Sequence, residues 1–230
     1  MPTFADRIIG FNREVEFSGN LPRGIRVMNP FRENPHILSI SEKFYKKFYD
    51  DHRRRKFVIG INPGRFGAGT TGIPFTDTKR LQDVCGIPID SPTTHEPSSV
   101  FVYDVINRYG GPARFYGDYY INSISPLGFL RLNPKGNWVN CNYYDYESLF
   151  QTLEEWMISN LRKQISFGLD TDVCYVLGKK NARYLERINK KENLFDSMVV
   201  LDHPRYIVQY RSRFKEDYIR QYLNQMANVW

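Results

Sequence analysis

Apolar positions along the chain fall into two alternating patterns. Short runs rich in β-branched and aromatic residues read as buried strands: Phe57 to Ile61, the stretch Asp118 to Leu127 in which a strand runs into a loop, Asp172 to Leu177, and Ser197 to Leu201. Around them, apolar residues recur at helical spacing. Ile8, Ile9, Phe11, Val15 and Phe17 place a helix within Phe4 to Phe17. Ser39 to Asp51 carries Ser39 and Glu42 at capping-box spacing ahead of a Phe44, Tyr45, Phe48 stripe. Thr78 to Cys85 reads as helical, and so does Ser98 to Tyr109, which Gly110-Gly111-Pro112 stops. Further helices are expected over Glu147 to Gln164, Ala182 to Asn189 and about Phe214 to Met226. Met28 to Pro35 reads as irregular, Gly86 to Pro97 as a Pro-rich connection, and Leu132 to Asp145 as a surface loop. Strands separated by helices indicate the α/β class, a three-layer α/β/α sandwich around a central, mostly parallel four-stranded sheet. With no linker, repeat or low-complexity tract, residues 1–230 read as a single domain.

Sheets of that kind collect ligands at the C-terminal ends of their strands, so the loops there carry the candidate chemistry. The first strand empties into Asn62-Pro63-Gly64, followed by Gly67, Gly69, Gly72 and Pro74-Phe75. Such a composition lets backbone approach a ligand closely while an aromatic ring closes the pocket. Gly67-Ala68-Gly69-Thr70-Thr71-Gly72 matches the dinucleotide fingerprint in letters only, because it starts well after its strand and meets Pro74 instead of a helix. A phosphate-cradling nucleotide loop fails as well, since no Gly-Lys-Ser/Thr closes the run. The third strand runs into Gly178-Lys179-Lys180-Asn181 and the fourth into Asp202-His203-Pro204-Arg205. Lys179 and Lys180 at a helix start suit a phosphate, with a merely solvated pair as the equal alternative.

A net charge of +7 favours a polyanionic partner. The basic run His52 to Lys56 lies at the wrong end of its strand for that role and reads as a solvated turn. The three cysteines, Cys85, Cys141 and Cys174, have no metal-ligand spacing, so neither a metal nor a cofactor is expected. Asp6 and Glu14 interrupt the N-terminal apolar residues and no later run is long enough to span a membrane, which implies an intracellular protein.

The run Gly60-Ile61-Asn62-Pro63-Gly64, Phe66-Gly67 and Thr71-Gly72-Ile73-Pro74-Phe75 resembles the first motif of the single-strand-selective monofunctional uracil-DNA glycosylases. Leu201-Asp202-His203-Pro204-Arg205 supplies the second motif, and Pro126-Leu127 with Phe129-Leu130 matches an intermediate segment. The resemblance implies a monomeric, cofactor-free enzyme that hydrolyses the N-glycosidic bond of uracil in single- or double-stranded DNA during base excision repair. It implies that Asn62 positions the attacking water, that His203 hydrogen-bonds the departing pyrimidine, and that Phe75 stacks on the base. Ile61 and Gly64 would line the pocket. Ser123 stands where the family carries an Asn that reads the base edge, and Asn122 points to the opposite strand face, which opens the substrate to other deaminated or oxidised bases. Arg65, Lys179, Lys180, Arg205 and Tyr206 are the candidate DNA contacts, with Arg205, Tyr206 and Ile207 the candidates for a wedge filling the vacated stack. Three alternatives remain at this point: a nucleic-acid-binding protein of weak or no activity on the same scaffold, a lyase using Lys179 as amine nucleophile, and a carboxylate mechanism through Asp77 or Asp202.

Overall fold

The computed structural model describes residues 1–227. Its elements run α1 (Phe4–Glu14), β1 (Ile25–Met28), α2 (Pro30–Glu33), α3 (Pro35–Tyr49), β2 (Arg55–Gly60), α4 (Ala68–Thr71), α5 (Thr78–Asp83), α6 (Pro97–Tyr109) and α7 (Pro112–Asp118). There follow β3 (Tyr119–Ser123), β4 (Gly128–Leu132), β5 (Trp138–Cys141), α8 (Glu147–Ile165), β6 (Leu169–Leu177), α9 (Lys179–Glu192), β7 (Ser197–Leu201), α10 (Pro204–Tyr210) and α11 (Lys215–Ala227).

The expected strands assemble into one parallel sheet of order β3-β2-β6-β7. Tyr119 and Tyr120 show how it is covered, because neighbouring strand residues face opposite sides. Tyr120 packs edge-on against Phe4 of α1 and Tyr49 of α3. Tyr119 instead meets Tyr109 of α6 and Phe115 of α7, and its hydroxyl donates to the Met226 carbonyl of α11. Helices therefore cover both faces, in the three-layer α/β/α arrangement; β2, β3 and the C-terminal half of β6 are buried almost throughout, whereas the edge strand β7 is buried only at Leu201. Register fixes the functional edge. Gly60 pairs with Ser123, Ile59 with Val176 and Leu177 with Leu201, so the four strands end level and their following loops emerge side by side.

Several local expectations are corrected. Leu132 to Asp145 is not simply a surface loop: β5 lies within it and forms an antiparallel hairpin with β4, and β1, which ends at Met28 where the stretch read as irregular begins, completes a second sheet of order β1-β4-β5. The hairpin turns on Asn133, whose Oδ1 accepts the Lys135 and Asn137 amides, and on Gly136 at φ 77°, a short-range device that weak alternation in Trp138–Cys141 hides. Helix α3 begins at Pro35, with Asn34 accepting the His36 amide, so Ser39 and Glu42 lie inside the helix and form no capping box. Proline at the first helical position after an Asn cap outcompetes a later start. Helix α9 is longer than expected at both ends and stops where Asn193 adopts φ 48°. The short helices α2, α4, α7 and α10 have too few residues to show a period.

The basic run ahead of β2 divides in two. Arg53 and Arg54 are exposed as a solvated turn requires, whereas the Arg55 side chain is fully buried. Its guanidinium lies 4.7 Å and 4.8 Å from the ring centroids of Phe4 and Tyr49, donates to both Asp51 carboxylate oxygens at 2.8 Å and reaches the Tyr116 carbonyl at 2.7 Å. Arg55 thus ties α1, α3 and α7 to the start of the central strand. Arg55→Met retains much of the stacked bulk but strands these acceptors, and should lower unfolding free energy by about 2–4 kcal/mol, read from urea midpoints at unchanged slope. Arg54→Met should change it by less than about 0.5 kcal/mol.

Candidate active site

At the level C-terminal edge of the parallel sheet, the four loops border an open groove of ≈ 1410 Å³. Asn62 stands two residues beyond β2. Its Oδ1 accepts the Tyr143 amide at 3.1 Å, and its Nδ2 donates at 3.3 Å to the carbonyls of Cys141 and Pro63. Both main partners are backbone groups of fixed polarity, so the orientation of this side-chain amide is determined: oxygen toward an N–H, nitrogen toward carbonyls. One lone pair on Oδ1 remains for a water or substrate proton.

Gly60, the buried last residue of β2, lies behind the Phe75 ring and Ser123. A Cβ there would come within 2.9 Å of the Phe75 ring and 3.1 Å of Ser123 Oγ, so absence of a side chain lets the ring and the hydroxyl converge. Phe75 sits at φ 52°, costly for a non-glycine residue by about 1–3 kcal/mol. The loop is braced around it: Ser99 Oγ donates to the Phe75 carbonyl at 2.8 Å and Thr71 Oγ1 to the Thr76 carbonyl at 2.6 Å. The Phe75 and His203 rings face the same space with centroids 5.9 Å apart. Asn122, one residue before Ser123, turns away and donates to the Tyr120 hydroxyl at 2.6 Å.

His203 precedes α10 and caps it, its Nδ1 accepting the Arg205 amide at 3.1 Å. An accepting Nδ1 leaves the proton of a neutral imidazole on Nε2. Burial, with a smaller effect of the Arg205 charge, pushes the imidazole pKa down to about 4. At neutral pH the side chain is therefore an uncharged Nε2–H donor.

The other sequence candidates also border the groove, in varied settings. Ile61 and Gly64 belong to the wall beside Asn62, where the Ile61 carbonyl accepts the Ser125 amide and the Gly64 carbonyl accepts that of Gly69. Arg65 lays its guanidinium 5.1 Å from the Phe66 ring. Lys180 reaches over Tyr144 at 4.5 Å, and Lys179 pairs with Asp202 at 3.5 Å while most of its side chain stays in water. Tyr206 and Tyr210 project from α10 with rings 5.8 Å apart, next to exposed Arg205. Ile207 does not reach the groove: it is fully buried, because α10 turns its apolar face inward, and it is excluded as a wedge. Asp77 is likewise sealed off, with no exposure, its carboxylate held by the Arg80 guanidinium and by the Arg80 and Glu96 amides. That leaves no route for Asp77 to a substrate. Lys179, exposed and ion-paired, lacks the dry surroundings that activate an amine nucleophile.

Three further groove residues have no strong sequence signal: Glu96, whose carboxyl burial holds above the ordinary range, Asn140, which accepts the Arg65 amide, and Asn181; Phe66, part of the first motif, is exposed at the same groove. Asn181 stands in the Gly-Lys-Lys-Asn loop, where the lysines draw the eye. Tyr143, which holds Asn62, lies in a segment whose strand character the sequence conceals. Among the described residues, no cluster of His, Cys, Asp or Glu could hold a metal ion, and no helix is long and apolar enough to cross a membrane.

The strand ends of this parallel α/β/α sandwich thus carry an amide, a neutral imidazole and an aromatic ring around one groove. The model of the uracil DNA glycosylase superfamily matches residues 46–227, and the chain belongs to that superfamily. It is similar to wild-type SMUG2 of Pedobacter heparinus, whose crystal structure shares 46% sequence identity at a TM-score of 0.95, over 98% of this chain and 97% of that one. No curated protein matches the chain.

The depressed histidine pKa makes a stability prediction. Between the ordinary value of 6.5 and about 4, the unfolded chain binds a proton at His203 that the folded chain does not. Stability from this site is fully present above that window and is lost as pH falls through it. His203→Asn keeps a capping acceptor but removes the titration. Urea unfolding should therefore show wild type losing stability relative to the variant between pH 7.5 and pH 4.5.

Proposed function

We propose that this chain is a monofunctional DNA glycosylase that hydrolyses the N-glycosidic bond of uracil, and of other deaminated bases, in DNA as a step of base excision repair. The observation that carries the reading is the pairing of Asn62 and His203 at one sheet edge, each with its free hydrogen-bonding atom of known polarity. The target nucleotide must leave the stack to reach these groups. Its base then lies against Phe75, whose ring is seated close on Gly60 because that residue has no Cβ.

The two polar groups divide the work. Bond breakage moves negative charge onto the base, and a neutral Nε2–H donor in a desolvated site stabilises that charge where it develops. Neutrality matters because the donor stays available without a proton having to be taken from solvent. The sugar meanwhile gains positive character, and a water held by Asn62 Oδ1 presents its oxygen to the anomeric carbon. The proton that the water loses on attack neutralises the departing base anion, directly or through solvent, so no strong general base is required. Arg65, Arg205 and the lysines of α9 surround the groove with positive charge suited to the phosphates on either side. Asp202, the one surviving candidate for a carboxylate mechanism, is tied to Lys179.

Ser123 tunes the choice of base. Its hydroxyl rotates and serves as donor or acceptor, whereas an amide presents a fixed donor and acceptor together. A hydroxyl therefore tolerates uracil alongside deaminated purines, hypoxanthine and xanthine, whose edges share the carbonyl but not the size.

Release of free base from oligonucleotides containing uracil, hypoxanthine, xanthine or an oxidised pyrimidine tests this. Wild type should release uracil, and Asn62→Ala and His203→Ala should each slow release about 10²- to 10⁴-fold with DNA binding retained. Binding without release from any substrate would leave a nucleic-acid-binding protein on the same scaffold. Ser123→Asn should raise the uracil-to-hypoxanthine rate ratio by about tenfold, one hydrogen bond's worth of discrimination; an unchanged ratio would remove Ser123 from base selection.

A further inference from the structure

Asn62 does not hold its own position. Its Oδ1 partner is the backbone amide of Tyr143, in the segment joining β5 to α8, and a loop amide has no intrinsic reason to stay where a catalytic site needs it. What fixes that amide is its side chain. The Tyr143 ring is fully buried among Tyr144, Phe150 and Tyr184, and its hydroxyl donates to Asn181 Oδ1 at 2.8 Å. Asn181, also fully buried, donates through Nδ2 to the Gly60 carbonyl at 3.1 Å and the Ile59 carbonyl at 3.3 Å. Those carbonyls close β2, and Asn62 lies two residues beyond Gly60. The hydrogen bonds thus make a closed circuit from Asn62 to Tyr143, to Asn181, to the end of β2 and back along the chain to Asn62.

We infer that Tyr143 and Asn181 are positioning residues for the hydrolytic step, acting through Asn62 by fixing the amide that orients its side chain. The inference rests on the functional reading of Asn62 given above. Two loops and a helix start meet in the circuit, the loops after β2 and β5 and the first turn of α9 after β6, so it registers the hairpin sheet against the parallel sheet at the point where water would be held. Every polar atom named in it has a partner, and a fully satisfied buried network fixes one arrangement. Neither residue needs to touch substrate. Opening the Tyr143–Asn181 link frees the Tyr143 amide to drift, and Asn62 Oδ1 then loses the partner that keeps its remaining lone pair aimed at the groove. A misplacement on the ångström scale is enough to slow a positioned reaction strongly.

Tyr143→Phe removes only the hydroxyl. Expected is a ten- to hundredfold fall in the single-turnover rate of base release at saturating enzyme, with affinity for abasic-site DNA within twofold of wild type. Asn181→Asp, which keeps the acceptor for Tyr143 but loses the donor to the two carbonyls, should give the same pattern. In an Asn62→Ala background Tyr143→Phe should cost nothing further, since its effect runs through the missing side chain. Tyr184→Phe, which removes a neighbouring hydroxyl from the same aromatic cluster, should behave as wild type. The side-chain amide signals of Asn62 in a ¹H–¹⁵N spectrum, assigned by their disappearance in Asn62→Ala, should move or broaden in Tyr143→Phe. A wild-type rate with unmoved amide signals overturns the inference, as does a loss in Tyr143→Phe that adds fully to that of Asn62→Ala or that Tyr184→Phe reproduces. Should wild type release no base at all, the functional reading fails, while the amide signals still decide whether the circuit holds Asn62.

Discussion

Parallel strands that end level with one another place their following loops in a row, and most of this molecule serves that placement. Hydrogen-bond register between Gly60 and Ser123, and between Leu177 and Leu201, sets where each loop begins. Asn62, Ser123, Lys179 and His203 lie far apart in sequence and meet because each sits within two residues of a strand end. A slip of one residue in any strand would turn its inward side chains outward, and burial on both faces of the sheet makes such a slip expensive. Arg55 at the opposite edge belongs to the same scheme, locking three helices to the start of the central strand so that its far end is held firmly.

Around the groove, polarity is assigned by backbone. Asn62 lies between an amide and a carbonyl, and the His203 imidazole is fixed in one tautomer by the amide that begins α10. Such partners neither titrate nor rotate, so the site keeps its donors and acceptors in fixed places. Strain at Phe75 is the local cost, and the braces from Ser99 and Thr71 sustain it. Full charges stay mostly at the rim, where solvent and phosphate can reach them, and the charged pair Asp77–Arg80 is kept behind the wall.

Much of this was legible in the chain itself. Runs rich in β-branched and aromatic residues located all four strands of the parallel sheet, most plainly β2 and the end of β6, where burial on both faces calls for a near-continuous apolar run. The motif after β2 and the His-Pro pair after β7 pointed to the uracil glycosylase superfamily, since glycine without a side chain and a helix-starting proline leave marks in sequence that do not depend on distant contacts. The alternation of Asn122 and Ser123 fixed which of them faces the groove.

Tertiary contacts decided the rest. The hairpin of β4 and β5 has too few apolar positions to announce itself, and it forms because β1, more than a hundred residues from β5 in the chain, pairs on its other side. Nothing local distinguishes Arg55 from Arg54, yet one is buried in an aromatic cage and the other is solvated. Ile207 and Tyr206 differ in role because α10 presents one to the core and the other to the groove. Tyr143 and Asn181 have ordinary neighbours in sequence and become significant only when folding brings a hydroxyl, an amide and two strand-end carbonyls together. Sequence alone determined the strands of the parallel sheet, the long helices and the residues able to do chemistry, since periodicity and backbone permissiveness are local properties. Which of those residues are held, sealed or exposed was decided by packing between segments distant in the chain.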